Sequence, residues 1–177
     1  MDVPGWLGPA IIGALVTAFG WFVTHRNDRK MNNHRRSEKV RDCKIALRAE
    51  ISCHLPRWAM KNADRHVEEM SNRIRKGSTR KPPFTPFVPK ETPNPAFNTI
   101  VNEIQILPGD VIEPVIRYYQ QVDVITQLAE DMRSDRYEGL EPDRKADIYS
   151  DFIELRLEAG RLATEAIEAL EHSRDDE

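Results

Sequence analysis

The sequence predicts an all-α protein: an N-terminal transmembrane helix followed by an antiparallel three- to four-helix bundle with a Pro-rich crossover loop. Three observations carry this reading. A run of twenty residues near the N-terminus holds no charge. Downstream, apolar residues recur at steps of three and four, the period of a helix that buries one face. Between two such stretches, six of the chain's 12 prolines fall from Pro82 to Pro95, and that density precludes a helix. No segment has the alternation of a strand.

The charge-free run is Gly5 to Thr24, GWLGPAIIGALVTAFGWFVT. As a helix it spans about 30 Å, the thickness of a bilayer core. Trp6 and Trp21 stand near its two ends, where amphipathic rings favour the interface. Arg26, Arg29 and Lys30 follow it, with more Arg and Lys beyond, whereas only Asp2 precedes it. The positive-inside rule then places the N-terminus outside and the rest of the chain in the cytoplasm, with the basic flank against anionic lipid head groups. No basic residue precedes the apolar run and no small-residue cleavage site follows it, so it is not read as a signal peptide. Residues 1–25 are thus assigned as the anchor. One of its faces is small, with Ala10, Gly13, Ala14, Thr17 and Ala18 at the spacing that lets two helices approach closely, a surface for a homo-oligomer on one reading and a tolerated lipid-facing side on the other.

Residues 26–81 form the next segment, basic and then amphipathic. From Arg26 to Lys81 there are 17 Lys and Arg against 7 Asp and Glu; from Glu91 to Glu177 there are 8 against 21. A basic first helix lying against acidic later helices accounts for such halves. Nucleic-acid binding would want interleaved aromatics or a recognised fold, and neither is present, so no nucleic acid is expected. Cys43, Leu47, Ile51, Leu55, Trp58, Val67, Met70 and Ile74 make the apolar stripe of a long helix. Pro56 should kink or split it near Leu55, and Gly77 offers its end. Cys43 and Cys53 would lie about 15 Å apart along the axis, too far to bridge, and free thiols fit a reducing compartment.

Residues 82–95 are the Pro-rich loop. Pro83, Pro86 and Pro89 share the three-residue period of a polyproline II docking face. The competing expectation is a rigid crossover whose Phe84, Phe87 and Val88 pack on the bundle. Residues 96–172 supply the remaining helices. Asn94 and Pro95 read as N-cap and first residue of a short helix striped by Phe97, Ile100, Val101, Ile104 and Leu107. Pro108 and Gly109 end it. Asp110 and Glu113 suggest a capping box for a helix carrying Val115, Tyr119, Val122, Ile125 and Ala129. After a polar turn, Phe152, Leu155, Ala159, Leu162, Ala166 and Leu170 give the clearest stripe in the chain. Residues 173–177 are a charged tail.

The stretch Phe97 to Tyr119, FNTIVNEIQILPGDVIEPVIRYY, resembles a pattern in small uncharacterised bacterial single-pass membrane proteins with a cytoplasmic helical domain. They share the layout of a span, a long helix, and a short helix ending in Leu-Pro before a helix with aromatic residues. The resemblance implies a bacterial inner membrane and carries no activity.

Chemistry is sparse in the sequence. A di-metal bundle site wants Glu-x-x-His motifs, and none occurs; Glu50 with His54 and His66 with Glu69 each share a helix face but form no ligand set. Cys53 and His54, adjacent on a helix, point about 100° apart and are poorly placed for proton transfer. No phosphate loop or nucleophile elbow is present. No catalytic residue, metal or cofactor is therefore assigned. Of the pair Tyr118 and Tyr119, one should face the core and the other the surface, where an exposed Tyr118 beside Arg117 would mark a partner surface; the competing expectation is a core Tyr whose hydroxyl reaches solvent. The expected function is a non-enzymatic, membrane-tethered interaction module. The alternative is a phage-related or defence effector that oligomerises through its span and acts on the membrane.

Overall fold

The computed structural model describes residues 7–77, 84–90 and 93–173, with the side chains of α1 described at residue 31 and from residue 34 onward. It is all-α, with no strand among the described residues. The helices are α1 (Leu7–Trp58), α2 (Ala63–Gly77), α3 (Pro95–Ile100), a 3-10 helix (Val101–Ile106), α4 (Gly109–Asp131), a single turn α5 (Asp135–Glu138) and α6 (Pro142–His172). Two compact units result, Met1–Asp42 and Cys43–Glu177.

In the first unit the backbone is helical from Leu7, so the predicted Gly5–Thr24 run is helical over its described part. No helix among the described residues is long and apolar enough to cross a membrane; the side chains of the predicted span lie outside those residues. On the described part, His34 pairs with Glu38 one turn on, at 3.4 Å.

The second unit is built around α6. Its 31 residues extend about 46 Å. Contacts along it run in strict reverse order. Lys44 donates to the Ser173 carbonyl (3.1 Å), Arg48 pairs with Glu171 (3.1 Å), Arg156 donates to the Arg57 carbonyl (2.6 Å), His66 meets Tyr149 (2.9 Å) and Arg75 pairs with Asp143 (2.8 Å). The end of α1 and the whole of α2 therefore form one interrupted line antiparallel to α6. Helix α4 is also antiparallel to α6, since Ser173 bonds Asp110 near its start (3.1 Å) and Gln121 bonds the Leu155 carbonyl further along (3.0 Å). Two lines antiparallel to the same helix are parallel to each other. The expected antiparallel bundle is corrected in one respect: α6 is antiparallel to both lines, but α4 runs in the same direction as the Cys43–Trp58 part of α1.

The predicted stripes supply much of the core, although Cys43, Leu55, Val67, Met70 and Leu155, and Phe97, Ile100, Val101 and Ile104 of the short helices, are only half-buried. Leu47, Ile51, Trp58 and Ile74 are buried on α1 and α2, Val115, Val122, Ile125 and Ala129 on α4, and Phe152, Ala159, Leu162, Ala166 and Leu170 on α6. Burying one of the Leu, Ile, Val or Phe side chains among them contributes about 1.5–3 kcal/mol. Gly160 of α6 gives Trp58 its space, because a Cβ there would stand 3.1 Å from the Trp58 Cβ.

Three local expectations are also corrected. The break falls at residues 59–62, three residues after Pro56. Pro56 is exposed and inside the helix, and what ends α1 is Arg156 capping the Arg57 carbonyl, followed by Asn62 at φ 57°, a left-handed conformation Asn tolerates. Asn94 stands at the N-cap of α3 but makes no side-chain cap bond, and Pro108, not the Asp110–Glu113 box, stands at the N-cap of α4. Phe87, expected to pack on the bundle, is 90% exposed, whereas Pro86 and Val88 are buried. With Pro86 turned inward, the Pro83–Pro86–Pro89 face is not presented whole.

Candidate functional site

On α1, Glu50, His54 and Trp58 follow one another at intervals of four and so stack on one helix face. That face meets Tyr118 and Tyr119 of α4. Tyr119 donates to Glu50 Oε1 at 2.6 Å, and its ring stacks on Phe97 with centroids 3.8 Å apart. The same carboxylate accepts the backbone N–H groups of Ala96 (2.7 Å) and Phe97 (3.2 Å). Glu50 thereby replaces Asn94 as the cap of α3, binding the free amides of a helix start from a different helix.

One turn along, His54 Nδ1 lies 2.8 Å from the Tyr118 hydroxyl, to which Trp58 Nε1 donates at 3.3 Å. An indole N–H can only donate. The arrangement that uses all three groups has Trp58 donating to the phenol oxygen and the phenol O–H donating to a neutral imidazole. Burial, with a lesser push from Arg57, lowers the His54 pKa below its ordinary 6.5 and outweighs the opposing Glu50, which favours that neutral form. Burial, then the hydrogen bond to Glu50, raises the Tyr119 pKa far above the usual phenol range, so it remains a donor. A second histidine–tyrosine pair, His66 Nε2 with Tyr149 at 2.9 Å, ties α2 to α6. Burial raises Tyr149 as well.

Tyr118 and Tyr119 are both buried, at 0% and 1% exposure. The expected partner surface of Arg117 and Tyr118 is therefore corrected: Arg117 is exposed, and Tyr118 faces inward. Helix α4 contacts α1 and α6 at once, so its apolar face is wide enough to take two consecutive residues. The sequence reading puts Glu50 and His54 on one helix face without a ligand set, and misses that each is matched to a tyrosine of another helix. The signal available was a carboxylate and an imidazole in the middle of an apolar stripe, positions that demand a buried partner.

Chemically the ladder engages the Glu50 carboxylate, His54 Nδ1, the Trp58 indole and both phenols with one another or with backbone amides. Among the described residues no group of three or more His, Cys, Asp and Glu is placed to hold a metal ion. Cys43 is half-buried and Cys53 exposed, both free. Two clefts lie elsewhere. One of about 390 Å³ runs between α4, α5 and α6, and one of about 250 Å³ lies beside Arg73, Lys76 and Phe84. The remaining sequence-predicted sites, Trp6, Trp21, Arg26, Arg29 and Lys30 at the membrane interface and Ala10, Gly13, Ala14, Thr17 and Ala18 on the small face, lie outside the described side chains. Comparison of the chain with protein-family models, with curated proteins and with solved structures finds no match in any of the three.

Proposed function

We propose that this chain is a non-enzymatic helical interaction module held at the inner face of a bacterial membrane by residues Gly5–Thr24. The observation that carries the tether is the twenty-residue charge-free run followed at once by Arg26, Arg29 and Lys30. The mutual hydrogen bonds of Glu50, His54 Nδ1, Tyr118 and Tyr119 support the non-enzymatic part, because the groups best suited to proton transfer serve to fasten α1, α3 and α4 together. Tethering confines the bundle to a thin layer and raises its effective concentration for membrane partners.

Carbonate extraction of membranes from cells expressing the full chain tests the tether. Retention in the pellet, lost when Val16 and Phe19 are both changed to Asp, is the expected result; release of the unaltered chain into the supernatant overturns it. A second reading, assembly through the span into a membrane-active effector, is favoured by the small face at Ala10, Gly13, Ala14, Thr17 and Ala18. It requires loss of membrane potential on expression, abolished by Ala14→Leu.

A further inference from the structure

Where α2 and α4 finish and α6 begins, a projection and a hollow occur on the same end of the Cys43–Glu177 unit. The projection is Phe87. Its segment is fastened on one side by Phe84, whose N–H donates to the Gly77 carbonyl (3.2 Å) and whose ring lies 4.7 Å from the Arg73 guanidinium. On the other side, Arg133 grips the carbonyls of Val88 (3.1 Å) and Pro89 (2.7 Å). Buried Pro86 and Val88 take the inward positions, and the alternation of an extended chain turns Phe87 outward, 90% exposed, more than any other large apolar residue described.

The hollow is the cleft of about 390 Å³ between α4, α5 and α6. Its apolar wall includes Leu128, Met132, Tyr137 and Ile148; its charged lining is Asp131, Arg136, Arg144 and Asp151. Arg133, which holds the projection, is the chain neighbour of Met132 and Ser134 in that wall.

We propose that a second copy of this chain occupies this surface, the Phe87 of each copy seated in the cleft of the other about a two-fold axis. A two-fold interface must carry its own complement on one patch, and a phenyl ring beside an apolar-walled cleft is such a patch. The cleft is large enough, since an apolar cavity of about 150 Å³ already admits benzene. The charges fit the same occupant. Among the described residues Asp131, Arg136, Arg144 and Asp151 form no ion pair, and two of each sign let every arginine face an aspartate across the axis. A partner of a single sign would set like charge against half of this lining, which is unfavourable. The projection is also pre-ordered by Pro86, Pro89 and the Arg133 clamp, so seating it costs little conformational entropy. None of this depends on insertion of the N-terminal helix, so it stands apart from the tether and fails separately from it.

The test replaces Phe87 of the full-length chain with a photoreactive benzophenone amino acid, irradiates it in the expressing cells and maps the adduct by mass spectrometry. The expected product is a two-copy adduct joined within residues 128–151. Sedimentation of the purified chain should show a dimer whose dissociation constant rises at least about tenfold in Phe87→Asp, the size of effect typical of a seated aromatic anchor, and by much less in Phe87→Leu. A monomer at all concentrations, an adduct only to another protein, an adduct outside residues 128–151, or a dimer indifferent to Phe87→Asp overturns the proposal.

Discussion

Tyr119 and Glu50 meet at 2.6 Å across the α1–α4 interface, and the carboxylate that accepts the phenol hydrogen bond also accepts two backbone N–H groups of α3. One side chain thus joins three helices. Glu50→Ala removes the cap and leaves three donors to find partners, a loss of about 2–4 kcal/mol; Glu50→Gln, which keeps an acceptor oxygen, should lose about half of that. Urea unfolding followed by far-UV circular dichroism checks both, and the Ala variant should release α3 before the rest unfolds.

The His54–Tyr118–Trp58 chain makes stability depend on pH in a definite sense. Burial depresses the folded pKa of His54 below its ordinary 6.5. The unfolded chain then takes up a proton before the folded one does. Its contribution is complete above pH 6.5 and declines as pH falls from there towards the lower folded value. His54→Phe should flatten this slope, measured as the urea midpoint between pH 7.5 and 5; an unchanged slope would place the acid sensitivity elsewhere.

Tyr118→Phe is isosteric and removes one oxygen, but it strips His54 Nδ1 and Trp58 Nε1 of a shared partner. A loss of about 1–3 kcal/mol is expected. In a double-mutant cycle with His54→Phe the two losses should be less than additive, since each removes the same bond.

The tyrosines should resist alkaline titration. Burial pushes Tyr137 up to about 12, and Tyr119 and Tyr149 are raised too. Of the four tyrosines in the chain, these three should ionise at higher pH in the folded protein than in the unfolded chain, read as a shift of the phenolate titration at 295 nm with and without urea.

Glycine at two positions is a packing requirement. Gly160→Ala gains about 1 kcal/mol of helix propensity, yet the new Cβ would lie 3.1 Å from the Trp58 Cβ, an atom fixed close to its backbone. Overpacking of this kind costs about 1–3 kcal/mol, so a small net loss is expected. At Gly77 a new Cβ would clash with the Phe84 Cβ, and Gly77→Ala should free the 84–90 segment, seen as proteolysis within it.

Much of the helical layout was legible because each long helix has one apolar face, and periodicity reports a face directly. Gly77 and Pro95 marked real boundaries for local reasons of backbone geometry. What the sequence concealed depends on neighbours from elsewhere in the chain. Asn94 is a good cap by type, but Glu50 had already been brought to the same amides. Tyr118 and Tyr119 could not both be assigned inward without knowing that α4 lies between two helices. The direction of α4 relative to α1 was hidden for the same reason, since a crossover permits either sense. Phe87 was misplaced because which of two alternating residues points inward is set by the Arg133 clamp and not by hydrophobicity.

The four-residue gap at 59–62 has a rotational consequence. A straight helix slips about 20° per heptad against a partner it follows, roughly a quarter of a turn between Lys44 and Arg75. Interrupting the line lets α2 begin with its own azimuth, as a vernier is reset. Glu50, His54 and Trp58 can then aim at α4 while His66 and Arg75 aim at α6. The joint decouples the pitch of one helix from the aim of the next, and a change in its length would be absorbed as twist in α2 before it disturbed the hydrogen-bonded ladder on α1.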